Sequence, residues 1–293
     1  MQGLGYEPVY LEQLSGLAPI YYDSKTGDAE PNDILTKTTP YQLTWDEQAG
    51  ASVVSVPAKT TVTRKMTTDK GGMVDIRRIK GIATNNNLTL YILDNEFQRY
   101  LSNRPIHFNL ICGDGPRPFD LPIPLLLHRT QSLIFDVTDK SATPSNDVRL
   151  VLEGQRYYFD SQNIYDSLSP ATKISRPYFY TTDDSVTITA GMGTNEVTTY
   201  ITIMSDSDFY CHRFLTYSDG DYQVKMENVA ISRGFSNGWI HSQLVGGNSQ
   251  YYRSMEPMVF QRKTQIRLKF VNLSASLNHI YFALAGYNMY YRR

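Results

Sequence analysis

The chain has 293 residues, enough for two domains of ordinary size, each with its own core. Its formal net charge is −1 and only 19% of its residues are charged, so the totals point to neither nucleic acid nor an anionic membrane as a partner. The composition includes 22 tyrosines, with Asn, Ser and Thr plentiful, which suits sheets better than helices.

Residues 1–39 carry scattered apolar anchors without a sustained period, among them Tyr6, Tyr10, Tyr21 and Tyr22, which are candidates for a subunit interface. They are expected to form an extended N-terminal arm, ordered only by packing on its own domains or on neighbours. The opening "MQGLGYEPVY" has neither the basic nor the apolar region of a secretory leader, so none is expected. From residue 40 onward, short runs rich in β-branched and aromatic residues alternate with turn clusters. "TVTRKMTT", "LTLYIL", "SLIFDV" and "VRLVLEG" are separated by "DKGG", "TNNN", "GDGPRP" and "TPSN". The most apolar stretch, "LPIPLLL" at Leu121–Leu127, is far short of the roughly 20 residues that span a bilayer, so no membrane-spanning segment is expected. A linker over 160–176 follows. The strand-like runs then resume as "VTTYITI", "YQVKM", "QIRLKFV" and "IYFALAG". The pattern predicts an all-β protein of two tandem antiparallel β-sandwich domains, jelly-roll-like, over 40–159 and 177–293.

The two domains are one domain written twice. "RYLSNRPIH" (Arg99 to His107) and "RGFSNGWIH" (Arg233 to His241) share the frame R-x-x-S-N-x-x-I-H. Outward from it, Leu110 matches Leu244, Pro124 matches Pro257 and Arg129 matches Arg262. Ser141 matches Ser274, Asn146 matches Asn278 and Gly154 matches Gly286. Upstream, "PYQLT", "VSVPA" and "IRRI" stand opposite "PYFYT", "VTITA" and "CHRF". A period of about 115 residues is too long for a solenoid and fits a duplicated domain.

The frame contains residue types that enzymes use. Ser102 or Ser236 could act as nucleophile with His107 or His241 as base, but such a pair needs an orienting acid and an oxyanion hole. No G-x-S-x-G surrounds either serine, and no acidic residue keeps a matched place in both copies. The repeated Arg99, Ser102, Asn103, His107 and Arg233, Ser236, Asn237, His241 are therefore expected to shape a turn, with the two glycines also structural. The Asp-rich "TTDD", "SDSD" and "SDGD" lack EF-hand spacing, and the five histidines lack zinc spacing, so no metal or other cofactor is expected. Cys112 and Cys211 make no C-x-x-C pair and are expected to be buried thiols in a reducing compartment.

Tyrosine beside arginine recurs in "RYYF", "RPYFYTT", "SQYYRS" and "NMYYRR". Arg156, Tyr157, Tyr158, Tyr251, Tyr252, Tyr290 and Tyr291 are thus candidates for a subunit interface, for cross-strand packing or for a sugar-binding face. Tandem sandwiches, a long arm and no catalytic constellation together resemble bacteriophage virion proteins, above all double-jelly-roll capsid subunits. The resemblance spans residues 40 to 291 and is one of architecture and composition. It implies a self-assembling virion subunit, not an enzyme, that forms a homo-oligomer such as a trimer, contacts other virion proteins and assembles in host cytoplasm. The alternative is a receptor- or carbohydrate-binding, lectin-like virion protein.

Overall fold

The computed structural model describes residues 38–45, 53–70, 72–85, 87–142, 145–157, 175–182, 185–191, 193–246 and 257–290. The candidates Tyr6, Tyr10, Tyr21, Tyr22, Tyr158, Tyr251, Tyr252 and Tyr291 lie outside these residues, as do the first 37 positions.

The first half contains β1 (Thr38–Leu43), β2 (Val54–Val56), β3 (Thr61–Thr67), β4 (Met73–Ala83) and β5 (Leu88–Asp94). After them come β6 (Arg99–Tyr100), β7 (Ile106–His107), one helical turn α1 (Phe108–Ile111), β8 (Phe119–Leu127), β9 (Ser132–Asp139) and β10 (Asn146–Tyr157). The second half runs β11 (Ser175–Thr181), β12 (Val186–Ile188), β13 (Glu196–Thr202), β14 (Ser207–Ser218) and β15 (Tyr222–Asn228). It closes with β16 (Arg233–Gly234), β17 (Ile240–His241), the turn α2 (Ser242–Val245), β18 (Met258–Phe260), β19 (Gln265–Asn272) and β20 (Asn278–Tyr290).

These strands form four antiparallel sheets, two in each half. The orders β1-β10-β4-β8 and β3-β9-β5-β6 recur as β11-β20-β14-β18 and β13-β19-β15-β16. Facing sheets bury their inward residues between them. In the first sandwich Trp45 meets Phe135 edge-on at 5.2 Å; in the second, Phe270 meets both Tyr222 and Phe282 edge-on. The period-2 pattern does this work strand by strand. "LPIPLLL" belongs to β8, where every second residue is buried, and β8 lies at a sheet edge, where prolines without an N–H are tolerated.

Equivalence extends to the irregular parts. Both long strands slip register at the same place, β4 against β10 between Ile76 and Arg78 and β14 against β20 between Cys211 and Arg213. Gly154 and Gly286 sit opposite those slips. A Cβ on either would overlap the carbonyl oxygen of Asp75 or of Tyr210, so only glycine fits the close approach. Gln98 and Ser232, just before each frame, both take the left-handed conformation, at φ 51° and 50°. Asn85 N–H donates to Asn146 Oδ1 at 3.1 Å, and Gly220 N–H donates to Asn278 Oδ1 at 3.0 Å.

One matched pair is not chemically equal. Asn272 Oδ1 accepts the Ser274 N–H, while Nδ2 donates to the carbonyls of Ile188, Thr189 and Ser276. In the first copy the position is Asp139. Its Oδ1 accepts the Ser141 N–H at 2.7 Å, but its buried Oδ2 has no hydrogen-bond partner among the described residues. A carboxylate oxygen thus stands where the fold offers a place for a donor. Asp139→Asn is expected to stabilise the protein by about 1 kcal/mol in urea unfolding. Gly286→Ala is expected to destabilise it by about 3 kcal/mol in the same assay, because the obstacle is backbone and cannot swing aside.

Candidate functional site

The two sandwiches meet along a seam built from the first copy of the frame. β11 is an edge strand, so one side of it carries backbone groups with no sheet partner. The loop after β6 caps that edge. Phe179 N–H donates to the Leu101 carbonyl at 2.9 Å, and Asn103 N–H donates to the Phe179 carbonyl at 3.1 Å. The Asn103 side chain completes the cap: Nδ2 donates to the Thr181 carbonyl at 3.1 Å and Oδ1 accepts the Thr181 N–H at 2.8 Å. Phe179 continues inward to Phe119, and with Leu215, Ala283 and Ala285 it packs into the core of the first sandwich.

Charges flank this apolar contact. Arg99 Nη1 pairs with Asp206 Oδ2 at 2.6 Å, and its guanidinium lies over the Tyr290 ring at 4.2 Å. Arg176 lies over Phe97 at 3.9 Å and faces Asp94 Oδ2 at 3.7 Å. Both members of the second pair are buried. Burial raises the Asp94 carboxyl above its ordinary value; Arg176, a hydrogen bond from Gln131 and the Phe97 and Glu96 N–H groups oppose that rise. On the remaining flank the buried His107 ring packs on Tyr281 at 4.0 Å and on Tyr217 at 4.8 Å.

Within each frame the polar side chains serve the backbone. Ser102 Oγ donates to the Arg104 carbonyl at 2.7 Å, and Ser236 Oγ donates to that of Gly238 at 2.6 Å. His107 Nδ1 accepts the Asn109 N–H and His241 Nδ1 accepts the Gln243 N–H, both at 3.3 Å, so each imidazole caps one helical turn. Neither frame assembles a nucleophile, a base and an orienting acid. Among the described residues, no group of three or more His, Cys, Asp or Glu is placed to hold a metal ion. No helix among them is long and apolar enough to cross a membrane.

What separates the copies is cover. Leu110 on α1 is 1% exposed beneath the second sandwich, whereas its match Leu244 on α2 is 81% exposed. In the same copy Val229, Ile231 and Trp239 are also exposed. Arg233, matching Arg99, is exposed as well. The complementary surface is equally bare. β1 matches β11 and is likewise an edge strand; its Gln42 and Thr44 are exposed where Phe179 and Thr181 are buried. Ile82, matching Tyr217, is 57% exposed. Among the described residues, the surfaces that match the two sides of the seam are thus exposed.

The tyrosine–arginine candidates divide. Tyr290 reaches the seam. Tyr157 is held elsewhere: the β10 register pairs it with Met73, on the sheet face opposite the core residues Val74 and Ile76, where its hydroxyl donates to Asp75 Oδ2 at 3.1 Å. Arg156 stacks on Tyr41 at 3.9 Å and pairs with Asp69 in the same sandwich. Asn103–Thr181 and Asp94–Arg176 carry the seam and were not legible as pairs, since each joins residues from different copies.

In arrangement the chain is similar to viral capsid proteins. VP54 of PBCV-1, fitted into a reconstruction of the virophage Sputnik, is 5% identical, with 86% of this chain and 94% of that one covered and a TM-score of 0.38. The major capsid protein P2 of bacteriophage PM2 is 13% identical over 87% of this chain and 99% of that one, with a TM-score of 0.36. The CUB1-EGF-CUB2 segment of rat MASP-1 is 11% identical over 84% and 97%, with a TM-score of 0.23. Likeness at these scores decides nothing about function. No family model and no curated protein sequence matches the chain.

Arg176→Met leaves the buried Asp94 without its cation. A carboxyl raised in the folded state contributes stability at low pH that is lost as pH rises through its folded value, and this substitution raises it further. The expected loss is about 3 kcal/mol at pH 7 and clearly less at pH 4, read by urea unfolding at both.

Proposed function

We propose that the protein is a structural subunit of a virus particle, which assembles by repeating between chains the seam it makes within itself. The observation that carries this is the matched pair Leu110 and Leu244: one face, kept in both copies, covered in one and bare in the other. The capsid role named for the proteins above is brought to this chain as part of the proposal.

The open seam has two unlike halves. The face of α2 and the loop after β16 would receive the β1 edge of a second copy, with Asn237 reaching the backbone of Thr44 as Asn103 reaches that of Thr181. Ile82 would lie over His241, as Tyr217 lies over His107. Such a contact is heterologous, so it closes a ring or runs on as a filament. Each chain supplies two sandwiches. If each seam turns by about 60°, three chains close a ring of six, which gives the trimer. Burying Leu244 and Ile82 contributes about 2 kcal/mol apiece, a large share of a weak repeated contact. The virion assigns the oligomer its place, with other virion proteins as further partners and host cytoplasm as the site of assembly.

Sedimentation of the purified chain tests this, with a trimer expected. Leu244→Asp and Ile82→Asp are each expected to give folded monomers, since both side chains are exposed in the single chain. Mixing the two variants is expected to restore one good seam and yield dimers only. Monomers in the mixture, or trimers in either variant alone, would overturn the head-to-tail seam.

A further inference from the structure

The seam also frames a cleft of about 500 Å3, lined from one side by Tyr91, Phe97, Arg99 and Tyr100 and from the other by Tyr178 and Tyr290. Three features mark it as more than a gap between domains.

The first is an aromatic wall that the fold does not require. The Tyr91 and Tyr100 rings are stacked 3.6 Å apart and nearly parallel. In the second copy the same places hold Lys225 and Gly234, on strands of identical pairing. The sandwich thus builds without the stack, and it occurs only in the copy that faces the cleft.

The second is an unsatisfied hydroxyl. Tyr178 is 3% exposed, and among the described residues its hydroxyl makes no hydrogen bond. Burial pushes that hydroxyl above the ordinary phenol range, so it stays protonated and able to donate. The residue lines the cleft, where that hydroxyl can donate to what enters.

The third is charge. Among the described residues of the lining, Arg99 is the only Lys, Arg, Asp, Glu or His, and Asp206 pairs with it at 2.6 Å. Nothing in the cleft calls for an ionic ligand. Its polar atoms are phenol hydroxyls, the Ser102 hydroxyl and the Gln98 and Asn103 amides.

We propose that this cleft binds a neutral sugar, as a single residue or the end of a short neutral oligosaccharide. A pyranose offers an apolar C–H face for a tyrosine ring and hydroxyls on its edge for Tyr178 and Gln98. The cleft volume lies within the range of small-ligand pockets. Aromatic walls tipped with hydroxyl and amide groups suit a ligand that is apolar on one face and polar at its edge. Attachment to glycans would then be a second activity of the same seam, one that does not depend on how the chain assembles.

A printed array of neutral and acidic glycans, probed with the full-length protein, gives the first readout. Retention of neutral glycans is expected, followed by calorimetric titration of the strongest. Tyr178→Phe removes only the unpaired hydroxyl and is expected to weaken that binding about tenfold. Tyr100→Gly installs the residue of the second copy and is expected to abolish it. Both variants should keep the wild-type melting temperature and sedimented mass, which separates this proposal from the assembly reading. Should Tyr100→Gly fail to fold, Tyr178→Phe decides alone. An array retaining no neutral glycan would overturn the proposal. Retention of acidic glycans only, or affinity unchanged in Tyr178→Phe, would do the same.

Discussion

Asn103 holds both backbone groups of Thr181, and much of the molecule depends on that pairing. An edge strand presents N–H and C=O groups that must be paired or left to water, and buried ones cannot be left. By capping the edge of β11, the loop of the first sandwich fixes where the second sandwich sits. That position brings Phe179 onto Phe119, lays Tyr217 and Tyr281 on His107, and covers Leu110. A side-chain amide is well chosen for the task. It carries one donor and one acceptor in a plane, matching a peptide unit of a strand.

The duplicated sandwich shows how matched positions of one scaffold are put to different uses. Asp94 and Asn228 both accept a backbone N–H two residues on, so either side chain satisfies the turn. Only Asp94 also faces a cation from the other sandwich, and only there is the residue a carboxylate. Asp139 and Asn272 look like the same exchange, but Asp139 gains no cation among the described residues and leaves an oxygen unpaired. The first substitution has a seam to justify it; nothing in the structure explains the second.

The same contrast runs along the exposed face. Phe97, Tyr91 and Tyr100 in the first copy become Ile231, Lys225 and Gly234 in the second, while Ser, Asn, Ile, His and Leu110/Leu244 are retained. Retained residues make the turn and the apolar contact, which both copies share. The altered Tyr91, Phe97 and Tyr100 line the cleft, beside the retained Arg99, Ser102 and Asn103. A surface leucine as exposed as Leu244 contributes nothing to the isolated chain, and its persistence fits a contact made with another molecule.

Strand-length alternation, turn clusters and the double R-x-x-S-N-x-x-I-H frame were enough to determine an all-β chain of two like sandwiches. These features are local, or recur at a fixed spacing, and burial on one face of a strand forces the alternation wherever the strand ends up. The matched glycines Gly154 and Gly286 likewise fall in identical registers, because the same backbone constraint acts in each copy. The sequence alone, by contrast, gave Leu110 and Leu244 the same standing, and it offered Tyr157 and Tyr290 as the same kind of residue. Tertiary structure decided those cases. Whether a side chain is covered depends on which surface another part of the chain brings to it, and here one sandwich docks on the other in a single direction, burying one copy of the face and leaving its twin open.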